Sequence, residues 1–317
     1  MSAKVVCVLL LLVVSTTLAR PTVDDAPILD NDLIDEVNQH GKWRAGLNKQ
    51  FFNMTVRDAR CLAGTFIESS DDFTLPVKSS YGNVELPETF DARSKWPNSI
   101  HGIRNQAQCG SCWAFAATEA LSDRFAIESD NKINVVLSPQ QLVSCDTKDG
   151  NMGCGGGYPL KAWQYMMSSG VVSDDCYQYT SGNGNSGECL LSGSNNCPSG
   201  SGSSKLYHAA SAYRVEATMT AIMEEIYDHG PVEAAFMVYQ DFYSYKSGVY
   251  EHFAGGLVGG HAVKIIGWGT EDGTPYWLIA NSWGTSWADL NGFFMMKRGV
   301  NECGIESRIV AGLAKTS

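Results

Sequence analysis

The stretch QAQCGSCWAF, residues 106–115, carries the strongest signal in the chain. It places Cys109 and Cys112 three residues apart and follows them with tryptophan and small apolar residues. Such a pattern occurs in a redox-active cysteine pair, in half of a zinc site, and where one reactive thiol lies beside one structural cysteine. The flanking sequence has to distinguish these three kinds of site.

The first twenty residues, MSAKVVCVLLLLVVSTTLAR, have the pattern of a secretory signal peptide: one lysine, an apolar run, then Thr17, Leu18 and Ala19. The apolar run of about 15 residues is shorter than the roughly 20 that a membrane-spanning helix needs. We therefore predict a signal peptide at 1–19 and secretion into an oxidising compartment, where cysteines pair stably.

Ten cysteines are present, of which Cys7 leaves with the signal peptide and Cys61 lies in a segment that we also expect to be removed. An even number then remains, which permits full pairing without requiring it. Redox-active cysteine pairs usually lie near a βαβ unit in a reducing or exchange-active setting, whereas this pair is in a secreted chain with several other cysteines. Zinc would need a second ligand pair, which neither the later cysteines nor the six histidines supply. These observations favour Cys112 as a nucleophile and Cys109 as a structural cysteine.

The net charge of −11 argues against nucleic acid or an anionic membrane as a partner, since both attract basic surfaces. With 317 residues and 44% hydrophobic content, the chain can bury one substantial core or two smaller ones.

Helical patterns precede strand patterns along the chain. The run CWAFAATEALSDRFAIES, from Cys112, lacks Gly and Pro and predicts a buried-faced helix, with Ser111 as candidate cap. A cysteine in the first turn of a helix faces partly positive amides, which favour the thiolate. AWQYMMSSG and MTAIMEEIYDHG predict shorter helices, whereas VEAAFMVY, GHAVKIIGWG, PYWLIANSWG and GFFMMKRG predict strands. This order indicates an α+β protein built from two packed parts.

The leading segment, by which we mean the residues before 86, differs from the rest of the chain. Residues 28–60 have apolar positions, among them Trp43, at a spacing that favours short amphipathic helices, and residues 68–93 are rich in Ser, Asp, Gly and Pro, as an exposed linker would be. Such linkers are where processing proteases cut.

Several further motifs agree in order with QAQCGSCWAF: LPETFDAR, CGGGYPLKAW, GPVEAAFMVYQDFYSYKSGVY, GGHAVKIIGWGTEDGTPYWLIANSWG and NGFFMMKRGVNECGIES. Together they resemble a cathepsin B-type cysteine protease of the papain family, and WRAGLNKQF and CLAGTF resemble its inhibitory prosegment. The resemblance implies a papain-like fold with a helical left lobe, a β-barrel-like right lobe and the active-site cleft between them. It also implies an inhibitory propeptide at 20–85 and a mature protease domain at 86–317.

The resemblance assigns catalytic roles residue by residue. Cys112 is the nucleophile, His261 its acid and base partner, and Asn281 orients the imidazole; Gln106 and the Cys112 amide stabilise the oxyanion. Trp283 covers the His261–Asn281 hydrogen bond. Neither a metal nor an organic cofactor is expected. Ala107 stands where the family commonly has glycine, which costs strain if the turn needs a positive φ.

The same resemblance implies a set of substrate-binding residues. Gly156 and Gly157 form a backbone ledge, with Gly260 beside His261. The second subsite is lined by Tyr158, Pro159, Ala235, Ala262 and Arg308. Cathepsin B has an acidic residue where this chain has Arg308, so we expect poor tolerance of arginine at P2, unless the Arg308 side chain points to solvent.

Three disulfides are implied: Cys109–Cys154, Cys145–Cys189 and Cys176–Cys197, the last two less firmly because the Cys189 to Cys197 separation is wide. In cathepsin B an additional loop in this region carries paired histidines that grip the substrate carboxylate and confer dipeptide removal. Here YQYTSGNGNSGE is short and has no histidine, so we expect an endopeptidase.

The expected partners are peptide and protein substrates, the chain's own propeptide as inhibitor, and cystatin-type inhibitors, with a monomeric enzyme. A lysosome, an acidic vacuole and secretion remain open as locations. The alternative function is that of a binding protein that has the protease fold but no catalytic activity.

Overall fold

The computed structural model describes residues 23–67, 75–80, 82, 84–191 and 196–317, so the predicted signal peptide lies outside the described residues. The helices are α1 (Asn31–His40), α2 (Val56–Arg60), α3 (Ala92–Lys95), α4 (Cys112–Glu128), α5 (Pro139–Cys145), α6 (Pro159–Ser168) and α7 (Met219–His229). The strands are β1 (Trp43–Ala45), β2 (Val77–Lys78), β3 (Phe90–Asp91), β4 (Tyr213–Val215), β5 (Val232–Tyr239), β6 (Tyr245–Tyr250), β7 (Leu257–Glu271), β8 (Thr274–Ala280), β9 (Phe293–Lys297) and β10 (Ile309–Ala311). In these described ranges, no helix has the length and hydropathy needed to cross a bilayer.

One lobe is built on a sheet in the order β1-β6-β9-β8-β7-β5-β10-β4-β2, with β3 added to β7. The predicted strands are confirmed in its central members, β5, β7, β8 and β9. Their alternate side chains, such as Phe236, Trp277 and Phe294, are fully buried in one core. The antiparallel register of β5 and β7 sets Phe236 opposite His261, which fixes the position of the histidine on the sheet.

The other lobe is built on α4, with α5 and α6 packed against it. Fifteen of the 17 residues of α4 are buried, because the helix has the second core on one side and the sheet on the other. The helical prediction from Cys112 is therefore confirmed. The same lobe contains the disulfides Cys109–Cys154, Cys145–Cys189 and Cys176–Cys197, the three pairs that the resemblance implies.

A buried polar cluster joins the two lobes. Lys264 on β7 places Nζ 2.6 Å from Asp123 Oδ2 and 3.9 Å from Glu119 Oε2, both on α4. Burial raises the pKa of Glu119 to about 7. This cluster connects the helix that begins at Cys112 to the strand that carries His261.

The leading segment packs on the sheet lobe, and the short helices predicted for it are present as α1 and α2. Trp43 is in a strand rather than a helix: β1 pairs with β6, where Gly248 (φ 89°) lets the Trp43 backbone approach. Part of the linker is ordered, since β2 pairs in parallel with β4. At Trp43, pairing with a distant strand edge overrides the local helical pattern, whereas the linker stays exposed at Val77 as predicted.

Candidate active site

Cys112 is the first residue of α4 and is fully buried. Its sulfur lies 3.1 Å from Oγ1 of Thr65, a residue of the leading segment. Burial raises the pKa of the Cys112 thiol, and hydrogen bonds from Thr65 and from the backbone at Ala262, Gly64 and Trp113 oppose that rise. The thiol is thus held away from water beneath a residue of the leading segment.

His261 precedes Ala262 on β7, and the backbone at Ala262 hydrogen-bonds the Cys112 sulfur, so this part of the strand lies against the start of α4. Its Nε2 is 2.8 Å from Asn281 Oδ1, which also accepts a hydrogen bond from the Ser282 amide. Since that oxygen is an acceptor, we assign the imidazole proton to Nε2. Nδ1 has no hydrogen-bond partner in the part of the chain that is described, so its lone pair can take a proton.

The environment of His261 is apolar. The indole of Trp283 is tilted at 33° to the imidazole, with ring centroids 4.8 Å apart. Burial lowers the pKa of His261 to about 4, and the hydrogen bond with Asn281 opposes this shift. With the leading segment in place, burial therefore favours the neutral forms of both His261 and Cys112.

The side chain of Gln106 is fixed in orientation. The amide nitrogen Nε2 faces two carbonyl oxygens, which can only accept, so Oε1 is the atom that accepts a hydrogen bond of 2.7 Å from Ser282 Oγ. Nε2 donates to the Cys109 carbonyl at 2.8 Å and to the Leu62 carbonyl at 2.9 Å. One amide proton is used within the loop, and the other meets a carbonyl of the leading segment.

The turn after Gln106 has the positive φ that glycine would favour. Ala107 has φ 50°, a conformation that costs an L-residue about 1–2 kcal/mol. Asn105 Oδ1 accepts a hydrogen bond of 2.9 Å from the Ala107 amide, which helps to hold the turn. The substitution of alanine here therefore leaves the chain path intact.

The leading segment crosses the cleft as an extended strand between Gly157 and Gly260. Thr65 N donates to the Gly260 carbonyl at 3.0 Å, and Phe66 N donates to the Gly157 carbonyl at 2.9 Å. Gly157 N in turn donates to the Gly64 carbonyl at 2.9 Å. Both walls of the cleft thus bind the same three residues through the backbone.

These walls need glycine. A Cβ at Gly156 would lie 2.6 Å from a carbonyl of the leading segment, and one at Gly260 would lie 2.2 Å from the Thr65 carbonyl. At Gly157 the obstacle is the indole of Trp113, 2.5 Å away. Two of these positions therefore admit a close backbone ligand, and the third admits the tryptophan that follows Cys112.

Phe66 lines a small cavity next to this wall, and its ring lies edge-on to Tyr158 with centroids 5.0 Å apart. Pro159, Ala235 and Arg308 also line this cavity. Arg308 is half-buried, and burial lowers its pKa. Its Nη1 donates to the Gly304 carbonyl at 2.9 Å.

All nine predicted substrate-binding residues lie next to the leading segment or the Cys112 thiol. Three contributors were missed: Thr65 at the sulfur, Arg214 in the Phe66 cavity, and Tyr179 behind Gln106. CLAGTF points to Thr65, whereas Arg214 and Tyr179 belong to stretches with no distinguishing pattern. The residues that the structure describes contain no group of three His, Cys, Asp or Glu side chains able to hold a metal ion.

Comparisons with known proteins agree with this geometry. A sequence model described as papain family cysteine protease matches residues 86–313. Cathepsin B-like cysteine proteinase 4 of Caenorhabditis elegans is 42% identical, over 86% of this chain and 88% of that protein. The gut-specific cysteine proteinase of the same organism is 49% identical, over 81% and 82%.

Among solved structures, procathepsin B S9 of Trypanosoma congolense superimposes with a TM-score of 0.84 and 35% identity, covering 92% of this chain and all of that one. A digestive procathepsin L2 of Tenebrio molitor gives a TM-score of 0.73 with 26% identity, covering 89% of each chain. The papain-like two-lobed fold is thereby confirmed. The chain belongs to the papain family of cysteine proteases and is one of its cathepsin B-like members.

Proposed function

We propose that this chain is the zymogen of an endopeptidase in which Cys112 is the nucleophile and His261 its acid and base. Asn281 orients the imidazole, and Gln106 with the Cys112 amide stabilises the oxyanion. The observation that carries this assignment is the 2.8 Å contact from His261 Nε2 to Asn281 Oδ1, which leaves Nδ1 without a partner among the described residues and able to take a proton.

In the proposed reaction, His261 Nδ1 takes the Cys112 proton, and the thiolate attacks the peptide carbonyl carbon. Negative charge on the carbonyl oxygen is stabilised by Gln106 Nε2 and the Cys112 amide. His261 then protonates the leaving amine, which leaves a thioester. Water attacks the thioester while His261 takes its proton, and the acid product and free thiol result. These steps need no metal or organic cofactor.

Inhibition by the segment before residue 86 follows from the contacts in the cleft. The Leu62 carbonyl uses the Gln106 proton that an oxyanion would need, and Thr65 covers the Cys112 sulfur. Burial beneath the segment also disfavours the thiolate and imidazolium. We propose residues 20–85 as the inhibitory propeptide, with a cut near Leu86 that opens the cleft.

The loop between Cys176 and Cys189 supports endopeptidase rather than exopeptidase activity. Between these cysteines the chain has no histidine, lysine or arginine, so the loop offers no cation for a substrate's terminal carboxylate. This segment instead folds against the loop before Cys112, where the Gln108 amide donates to the Gly182 carbonyl at 2.9 Å.

Phe66 in the second subsite supports a preference for apolar P2 side chains. Arg308 and Arg214 line the same cavity, and their positive charge would repel a basic P2 residue. Arg308→Glu should therefore raise activity on P2-arginine peptides, and a variant that gains none would contradict the assignment of this subsite.

The direct test is to express the zymogen, acidify it, and map by mass spectrometry the cleavage of a diverse peptide mixture, with Cys112→Ala as control. We expect internal cuts after non-basic P2 residues in the wild type alone. Efficient stepwise release of C-terminal dipeptides would contradict endopeptidase activity. Intact peptides after removal of the propeptide would support the alternative of an inactive binding protein.

We also propose entry into the secretory pathway, toward a lysosome, an acidic vacuole or the outside of the cell. The three disulfides support an oxidising compartment. Fractionation of the native protein with organelle markers would distinguish the three destinations.

A further inference from the structure

The loop 106–111 carries both proposed oxyanion donors, with Gln106 at its start and the Cys112 amide directly after its end. For both donors to meet one oxygen atom, the ends of the loop must be held at a fixed separation. The loop includes the strained Ala107, at φ 50°. Its geometry therefore depends on contacts from outside the loop.

The hydroxyl of Tyr179 contacts both ends of this loop. It donates a hydrogen bond of 2.8 Å to the Gln106 carbonyl and lies 2.9 Å from Ser111 Oγ. A phenol has one proton, so Ser111 is the donor in the second contact. Burial raises the pKa of Tyr179 to about 12, which keeps the hydroxyl protonated at any pH where the protease works.

Packing of the Tyr179 ring and the hydrogen bonding of Ser111 both hold the Tyr179 hydroxyl at this loop. The Tyr179 ring packs edge-on against Phe115 of α4 at 4.7 Å, which sets the direction of the hydroxyl. Ser111 occupies the cap position of α4, yet its side chain makes no capping hydrogen bond, contrary to the sequence prediction. Its hydroxyl donates a hydrogen bond to Tyr179 instead, so Ser111 helps to hold the loop rather than capping the helix.

We propose that Tyr179 is a positioning residue for oxyanion stabilisation, acting through the backbone of Gln106 and the side chain of Ser111. The proposal rests on the proposed roles of Gln106 and Cys112. Loss of the hydroxyl leaves a backbone carbonyl without this partner and lets the two donors drift apart. The effect falls on the step in which the oxyanion forms, while formation of the Cys112 thiolate is unchanged.

The test compares Tyr179→Phe with Tyr177→Phe, each expressed as the full-length zymogen and then activated by acid. Tyr177 is the matched control because its hydroxyl also makes one buried bond in this lobe, 2.9 Å to the Glu188 carbonyl, away from loop 106–111. For Tyr179→Phe we expect kcat on a peptide amide to fall about tenfold, while KM stays within about twofold of the wild-type value. This loss of kcat is smaller than the loss expected when an oxyanion donor itself is removed. Tyr177→Phe should keep kcat within about twofold.

Two further readouts separate positioning from general damage. Affinity for a peptide aldehyde, which forms a tetrahedral adduct, should fall in parallel with kcat in Tyr179→Phe. Alkylation of Cys112 by iodoacetamide, which forms no oxyanion, should keep its rate and pH profile. Equal kcat in the two phenylalanine variants, or a parallel loss of kcat and alkylation rate, would overturn the proposal.

Gln106→Ala distinguishes this proposal from the function on which it rests. If Gln106→Ala retains full kcat, the proposed oxyanion donor is wrong, and the role of Tyr179 is wrong with it. If Gln106→Ala loses kcat while Tyr179→Phe does not, the function stands and the positioning role is refuted. In the double variant we expect no loss beyond that of Gln106→Ala.

Discussion

Phe51 in the leading segment offers a direct measure of how tightly that segment is docked. Its side chain is 2% exposed and packs edge-on against Trp283 at 5.3 Å and Tyr243 at 5.1 Å. The next residue, Phe52, is 49% exposed. The two neighbouring phenylalanines therefore provide a test variant and a matched control.

Truncation of a buried phenylalanine to alanine costs about 3–5 kcal/mol. In the open zymogen the same side chain is in water, so this loss weakens docking rather than the protease domain itself. A tenfold change in equilibrium corresponds to about 1.4 kcal/mol, so Phe51→Ala should raise the open fraction by a factor of roughly 10² to 4 × 10³. Phe52→Ala should change it by no more than about twofold.

The assay is the rate at which a bulky thiol reagent labels Cys112 in the intact zymogen at neutral pH. Because Cys61 is exposed, all proteins carry Cys61→Ser, and labelling of Cys112 is read by peptide mapping. After activation the segment is gone, so the mature enzymes should have equal kcat. Equal labelling rates in Phe51→Ala and Phe52→Ala would refute the view that this contact holds the segment in the cleft.

Two further predictions concern the buried cluster between the lobes. Since the folded-state pKa of Glu119 is raised to about 7 from an ordinary 4.5, stability present at low pH should be lost as pH rises between these values, by at most about 3 kcal/mol. Glu119→Gln should remove that dependence, as measured by urea unfolding at pH 5 and 7.5. Lys264→Met removes the buried lysine from Asp123, which then keeps only its contacts with His101, and should lower the free energy of unfolding by about 3–5 kcal/mol. Lys297→Met, which breaks a partly exposed pair with Glu251, should cost about 1 kcal/mol or less; equal losses in the two variants would contradict the buried ion pair.

The central elements could be predicted because their signals are local. The helix α4 follows from seventeen residues without Gly or Pro, and β5 coincides with the run VEAAFMVY. The order of the motifs then brought Cys112 and His261, 149 residues apart, into one expected site. Local patterning and a shared order of motifs were sufficient for this part of the fold.

The contacts that no motif predicted are those made across long sequence separations by ordinary residues. Trp43 is a strand residue because an edge of the sheet about 200 positions later accepts it. Arg214 enters the Phe66 cavity because β4 lies beside β10. The local sequence around either residue does not show which distant strand it will lie beside, so only the assembled sheet reveals its position.

The leading segment occupies the cleft without meeting the proposed requirements for cleavage. A scissile peptide must present one residue's carbonyl carbon to the nucleophile and the same residue's oxygen to the oxyanion donors. Here the two contacts are divided: the Leu62 carbonyl meets Gln106, whereas the Thr65 hydroxyl meets the Cys112 sulfur. Because these groups are three residues apart, no single carbonyl receives both attack and stabilisation. The segment can therefore fill the site and remain intact, and its removal requires that it first leave the cleft or be cut elsewhere.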